Sequence, residues 1–169
     1  MTPACLVATL DAPGGRLTVA VSEDGVVHRS RYGPPDAVLT AVPGAVLVPE
    51  AELPGGVADA VARYAAGDVG ALDAVVVRQP GGEFAQTVWT VMRQIPAGST
   101  VSYTELARRA GRPAAVRAAA SVCARNQLAP FVPCHRVVRS DGSLGGYAFG
   151  VDVKTALLDH ERANATPGT

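Results

Sequence analysis

Pro133-Cys134-His135-Arg136-Val137-Val138 sets a thiol beside an imidazole and a guanidinium, between a proline and two β-branched residues. The two valines favour a strand, so Cys134 stands at its start. A thiolate nucleophile wants a nearby base, local positive charge and partial exposure. Free cysteine is nonetheless among the most buried residue types. On these six residues alone the better reading is a small buried side chain, with His135 and Arg136 facing solvent. The surrounding chain has to overturn it.

Upstream, Ser102 to Ala110 and Pro113 to Arg125 read as two short helices joined through Gly111, an arrangement that resembles a helix-turn-helix. Pro113 suits the first turn of the second helix, where its missing N–H costs nothing. That helix carries Ala114, Ala115, Ala118, Ala119, Ala120 and Ser121. Such a low-relief surface suits either a neighbouring helix or a nucleic-acid backbone, with Arg117 projecting from it. Phe84, Val88, Val91, Met92 and Ile95 share one face of a further helix that Pro96 stops. Gln79-Pro80-Gly81-Gly82, just before it, is the best domain boundary. The first third reads as a meander of strands, Leu6 to Leu10, Leu17 to Val21 and Val26 to Arg31, separated by Pro13-Gly14-Gly15 and Asp24-Gly25. Residues 33–55, with five prolines, read as a loop. A helix over Val57 to Ala66 and a strand over Ala74 to Arg78 follow. Downstream of the hexapeptide, Val151 to Arg162 forms a last helix before an Ala-Thr-Pro-Gly-Thr tail.

With 169 residues, 48% hydrophobic and 18% charged, the chain is a folded globule of one domain or two small ones. Three cysteines without C-x-x-C spacing exclude a disulfide framework or a zinc ribbon and suit a reducing cytosol. No apolar run approaches a membrane span, and the N-terminus lacks a basic leader, so a cytoplasmic protein is expected. Net charge is zero but unevenly spread. Residues 1–80 hold 5 Arg against 9 acids, while residues 81–169 hold 10 basic residues against 6 acids. Arg108, Arg109, Arg112, Arg117, Arg125, Arg136 and Arg139 supply most of that excess. They suit either phosphate contacts or a solvated helical face. Lys154 is the only lysine.

The hexapeptide belongs to a longer ordered series: Phe84-x4-Trp89, Ile95-Pro96-x-Gly98, Val101-Ser102-Tyr103, Val116-Arg117-Ala118, Asn126, Asp141-Gly142-x3-Gly146-Tyr147 and Leu157-Leu158-x2-Glu161. From about Phe84 to Glu161 this series resembles the O6-alkylguanine-DNA alkyltransferase family. The resemblance implies an α+β fold. Residues 1–80 would be an N-terminal β-rich, ribonuclease H-like structural domain. Residues 81–169 would be a winged-helix (helix-turn-helix) alkyltransferase domain. It also implies a monomer that acts on double-stranded DNA carrying O6-alkylguanine, without cofactor or membrane. One alkyl group would move from guanine O6, and from thymine O4, to a consumed cysteine.

Family likeness makes Cys134 the acceptor, His135 its base through a water, and Glu161 the carboxylate that orients the imidazole. Read alone, Glu161 is an exposed helix-end carboxylate facing Arg162. Asn126 would brace the turn carrying the cysteine, and Tyr103 would donate to the flipped guanine or press on its phosphate. Arg117 would be the intercalating finger, with Ala115, Ser121, Arg125 and Arg136 also on the DNA side. Carbonyls of Cys134 and Val137, the Ala148 amide and the wall of Tyr147 would hold the base. The chain departs from the family at Gln127, where many relatives have proline, and at Ala148-Phe149. Cys5 and His28 match part of a zinc site some relatives carry, but two ligands do not hold a structural zinc, so none is expected. The alternatives are an alkylated-base sensor, a winged-helix regulator without transfer chemistry, and a cysteine hydrolase. Cys134, with Tyr103, Asn126 and Glu161, weighs against the first two, and the lack of an oxyanion-hole motif against the third.

Overall fold

A computed structural model of the chain describes residues 3–165; residues 166–169 of the expected tail lie outside the described residues. The order is β1 (Cys5–Ala12), β2 (Gly15–Ser22), β3 (Val27–Tyr32), α1 (Asp36–Ala41), β4 (Val46–Leu47), α2 (Val57–Ala65), α3 (Glu83–Arg93), β5 (Val101–Ser102), α4 (Tyr103–Arg109), α5 (Val116–Ala124), β6 (Val137–Val138) and α6 (Val151–Asn164). This is an α+β fold, with a mixed sheet in the first half and helices dominating the second.

The meander is present: β1, β2 and β3 pair antiparallel through Pro13-Gly14 and the turn before Val27. Gly14 has φ +96°, and a Cβ there would lie 2.9 Å from Val153 of α6, so only glycine lets that helix close on the hairpin. Strand alternation gives the sheet two apolar faces. Val7 and Ala20 pack against Val38 of α1, while Leu10, Val19 and Val21 join the main core. That core runs on through Tyr64 of α2, Val88 and Met92 of α3, Leu106 of α4, Val122 of α5 and Leu157 of α6. In α3 the buried stripe Ala85, Val88, Trp89 and Met92 has helical spacing. Gly81 admits the Trp89 ring, which a Cβ would meet at 2.7 Å.

Three expectations need correction. Residues 33–55 are not all loop: they contain α1 and β4, and β4 pairs parallel with β1 to give the order β3-β2-β1-β4. The strand expected over Ala74–Arg78 is a single parallel bridge between Val77 and Val27. A 3-10 turn occupies Ala71–Ala74, and the Arg93 guanidinium takes the carbonyls of Leu72, Asp73 and Val75. Pro113 lies before α5 rather than in its first turn. The Ala115 N–H donates to Arg112 O across a tight turn, and proline's fixed φ fits the second position of such a turn.

Two connections deliver the second half to one place. Ser102 caps α4, its Oγ accepting from the Glu105 N–H at 3.0 Å. β5 pairs parallel with β6, Val101 opposite Val137, which sets Tyr103 close to the segment that follows Cys134. The β3 edge is stitched to the segment before Cys134: Ser30 N donates to Gln127 O at 2.9 Å, and Ser30 Oγ to Ala129 O at 2.8 Å.

Candidate active site around Cys134

Pro133 (φ −84°, ψ 67°) makes a tight inverse turn in which the Cys134 N–H donates to Val132 O at 2.9 Å. A 3-10 turn over Cys134–Arg136 then leads into β6. The Cys134 side chain is half-buried and forms part of the wall of a cavity of about 320 Å³, shared with Tyr103, Cys123, Asn126, Tyr147 and Ala148. Burial pushes the thiol above its ordinary value near 9, while the Asn126 hydrogen bond and the Lys154 charge pull it back.

Asn126 is fully engaged. Nδ2 donates to Val132 O at 2.8 Å and to the Cys134 sulfur at 3.2 Å. Oδ1 accepts from Gln79 Nε2 at 2.9 Å and from the Leu128 N–H at 3.1 Å. These partners fix which end of the amide faces the sulfur: it is the donor, which favours the thiolate. The departure at Gln127 is explained here as well. Its N–H donates to Gln79 Oε1 at 2.8 Å, a bond proline could not make.

His135 and Glu161 are fully buried, so Glu161 is not the exposed helix-end carboxylate its local sequence suggests. His135 Nε2 lies 2.9 and 3.0 Å from the two carboxylate oxygens. Glu161 also accepts both Nε and Nη2 of Arg136, at 2.9 and 2.7 Å, and the Tyr64 hydroxyl at 2.8 Å. Burial alone would raise the Glu161 carboxyl, but its bonds to Arg136 and His135 outweigh that and hold it at about 2. Burial lowers His135 below 6.5 against the pull of Glu161. The imidazole is therefore neutral at pH 7. An ionised carboxylate only accepts, so Nε2 carries the proton and Nδ1 keeps the free lone pair. That nitrogen is buried and makes no hydrogen bond among the described residues.

Arg136 is the clear correction. Expected on the DNA side, it is 4% exposed and committed to Glu161 and Ile95 O. A bidentate buried carboxylate satisfies a guanidinium better than solvent does. Val137, expected to offer its carbonyl to the base, has its side chain in the core, and that carbonyl accepts from Lys154 Nζ at 2.9 Å. Lys154 is fully buried and also donates to Leu144 O, tying the 139–150 loop to β6. Lys154 and Gln79 bond the segments around Cys134 and are not among the residues the sequence singles out for the site. A lone lysine among fourteen arginines was a usable signal for the first, and nothing local marked the second.

Tyr103 and Tyr147 face the thiol across the cavity. Burial and the neighbouring Cys134 raise both phenols above 10, so each stays protonated. The Tyr147 hydroxyl is buried and has no hydrogen-bond partner among the described residues. Cys123 also touches the cavity, but it is 9% exposed, donates to the Met92 sulfur at 3.7 Å, and is pushed up to about 12 by burial. Arg117 and Ser121 are exposed on α5, Arg125 is exposed just past its end, and Ala115 is half-buried just before it. Arg108 and Arg109 are paired with Glu105. In the N-terminal sheet His28 bonds Ser22 Oγ at 3.0 Å, and the Cys5 sulfur donates to Pro3 O at 3.3 Å. No three His, Cys, Asp or Glu side chains converge among the described residues.

A family model, the DNA binding domain of 6-O-methylguanine DNA methyltransferase, matches residues 83–163. The Escherichia coli bifunctional transcriptional activator/DNA repair enzyme Ada is 56% identical over 84 residues, which are half of this chain but only 24% of that protein. The methylated-DNA–protein-cysteine methyltransferase of Mycobacterium tuberculosis is 36% identical over 162 residues, 93% of this chain and 92% of the relative. A crystal structure of Mycobacterium tuberculosis OGT in complex with DNA superposes with TM-score 0.79 and 33% identity, over 95% of this chain and 94% of that one. The likeness thus extends past the Cys134 half into the mixed sheet, and the chain belongs to the O6-methylguanine DNA methyltransferase family, whose members include the methylated-DNA–protein-cysteine methyltransferases.

Proposed function

We propose that this chain repairs double-stranded DNA in a single turnover, taking an alkyl group from O6 of guanine, and from O4 of thymine, onto Cys134. The reading rests on one observation: a neutral imidazole, its Nε2–H clamped by an ionised buried Glu161, directly follows a thiol that opens on a cavity. His135 Nδ1 takes the thiol proton through a water. The sulfur attacks the alkyl carbon in line, the carbon–O6 bond breaks, and its electron pair stays on the base. Tyr103 donates a proton to the departing guanine and is reprotonated from solvent as His135 releases its own. The thioether left on Cys134 is not readily hydrolysed, so each molecule acts once.

A base in a duplex hides O6 in the stack and must be turned out, at about a few kcal/mol. A volume near 320 Å³ is at the small end of ligand pockets and suits one base. Arg117, exposed near the start of α5, holds the gap, with Ala115, Ser121 and Arg125 along the same surface. Tyr147 and the Ala148 amide line the base site. Residues 1–80 act as the structural domain and residues 81–169 as the DNA-binding alkyltransferase domain. The protein works as a cytoplasmic monomer without cofactor. All three cysteines are free, and no described helix is long and apolar enough to cross a membrane.

The test is intact-protein mass after incubation with an O6-methylguanine duplex. Wild type should gain one methyl group, mapped to Cys134 and absent in Cys134→Ser. DNA binding without mass gain would make the protein a lesion sensor or a regulator instead.

A further inference from the structure

The N-terminal half carries nine acids and five arginines, yet three of those arginines avoid every acid-paired position. Arg16 pairs with Asp11, and Arg63 with Asp59 and Asp68. Arg29, Arg31 and Arg78 form no ion pair among the described residues, and all three line one trench. The trench consists of two adjoining cavities along the seam between β3 and the second half. One, of about 630 Å³, is bounded by Arg78 and Arg29; the next, of about 440 Å³, by Arg29, Arg31 and Arg125. The second shares Ala124, Asn126, Ala148 and Phe149 with the wall of the Cys134 cavity, so the trench runs up to that wall. No Asp or Glu side chain lines either part.

The arginines are also held in place. Arg29 and Arg31 are two apart on β3 and so share one face. Arg29 Nη1 donates to Gln127 Oε1 at 3.1 Å, and the Arg31 guanidinium sits 5.6 Å from the centre of the Phe149 ring. Both are half-buried. Burial, and then the charge of Arg31, lower Arg29 from its ordinary value. Two like charges held close together, half out of water and without a counter-ion, gain most from an anion placed between them.

We infer that Arg29 and Arg31, with Arg125 across the trench, hold backbone phosphates of the DNA strand that carries the flipped nucleotide. The inference rests on the function proposed above. A nucleotide turned into the Cys134 cavity brings its own phosphates to the mouth of that cavity, where the trench begins. The N-terminal sheet then takes part in DNA capture rather than serving only as a support, and Arg117 and Arg125 are not its only cationic contacts.

The experiment measures affinity for an O6-methylguanine duplex against KCl concentration, in a Cys134→Ser background. It is paired with transfer from free O6-benzylguanine, which has no phosphate, in the Cys134 protein. Each phosphate contact contributes about 0.9 to the slope of log K against log salt. Arg29→Gln/Arg31→Gln should lower the slope magnitude by about two and Arg29→Gln alone by about one. Free-base transfer should stay within about twofold, a useful check on folding. The Arg29→Lys/Arg31→Lys variant should keep the wild-type slope, since charge alone sets it. An unchanged slope in Arg29→Gln, which leaves the Arg31 stack intact, overturns the proposal even if the double variant misfolds. Wild-type protein that gains no methyl from the duplex sinks the repair reading instead, and this inference with it.

Discussion

His135 is the residue whose chemistry the environment decides most completely. Burial keeps it neutral, and Glu161 fixes the proton on Nε2, so Nδ1 is a base over the whole range above its lowered pKa. Without that base, Cys134 would supply thiolate only as its own raised pKa allows. Wild-type transfer from free O6-benzylguanine should therefore be flat with pH from about 6.5 upward. It should fall only in more acidic solution, where the imidazole charges. In His135→Gln the rate at pH 7 should drop by about two to four orders of magnitude, the usual worth of a positioned general base. It should then climb about tenfold per pH unit to beyond pH 9, following the thiolate alone. A flat profile in the variant would remove His135 from the proton path. Substituting Glu161 is a poorer test, because Arg136 would lose its buried partner. Breaking such a pair typically costs about 3–5 kcal/mol, which would confuse loss of activity with loss of fold.

At the level of elements, the site is assembled where β5 and β6 meet and where α6 lies across them. Lys154 of α6 joins these parts, donating to Val137 O of β6 and to Leu144 O of the loop that carries Tyr147 and Ala148. Lys154→Met keeps the length of the side chain but strands two carbonyls, at a cost of about 1–3 kcal/mol each where they stay dry. The 139–150 loop should then be cut faster by protease, while the rest of the chain resists. The charge of Lys154 lowers the Cys134 pKa, so iodoacetamide alkylation of Cys134 should also shift to higher pH. Faster cleavage without that shift would leave Lys154 as a tie and nothing more. These elements were only partly legible in sequence. The stripe on α3 and the β1–β3 meander are local patterns and legible in the sequence. The Ala74–Arg78 segment has strand-like composition, but Arg93, about twenty residues away, takes the carbonyls a strand would need. Pro113 precedes α5 rather than opening it, and local sequence does not decide between these because proline suits a turn and a helix start equally well. Cys134, His135, Asn126, Tyr103 and Glu161 were identified by an ordered motif and do come together. Gln79, Tyr64 and the burial of Arg136 depend on partners 25 to 97 positions distant, which no local period records.

The larger of the two hydrophobic clusters spans both halves, and Glu161, His135, Arg136 and Tyr64 meet within it, joining α2 of the first half to α6 and the Cys134 turn of the second. Acid should therefore loosen both halves together. The Glu161 carboxyl has an ordinary value of 4.5 and stands at about 2 in the fold, so its contribution is complete above pH 4.5 and is lost as pH falls toward 2. That contribution is roughly 3 kcal/mol of stability at neutral pH. His135 acts in the same direction from a higher starting point. Below 6.5 the unfolded chain binds a proton that the buried ring refuses, so stability begins to decline there. Thermal unfolding should show a Tm that is level above about pH 6.5, declines gently to about 4.5 and then falls steeply. His135→Gln should flatten the first segment and leave the second. The same transition should be seen by Trp89 fluorescence in the second half and by hydrogen exchange of β1 and β2 in the first. Separate transitions, with the sheet outlasting the Trp89 signal in acid, would show that the two halves hold their own cores and that the buried cluster does not couple them.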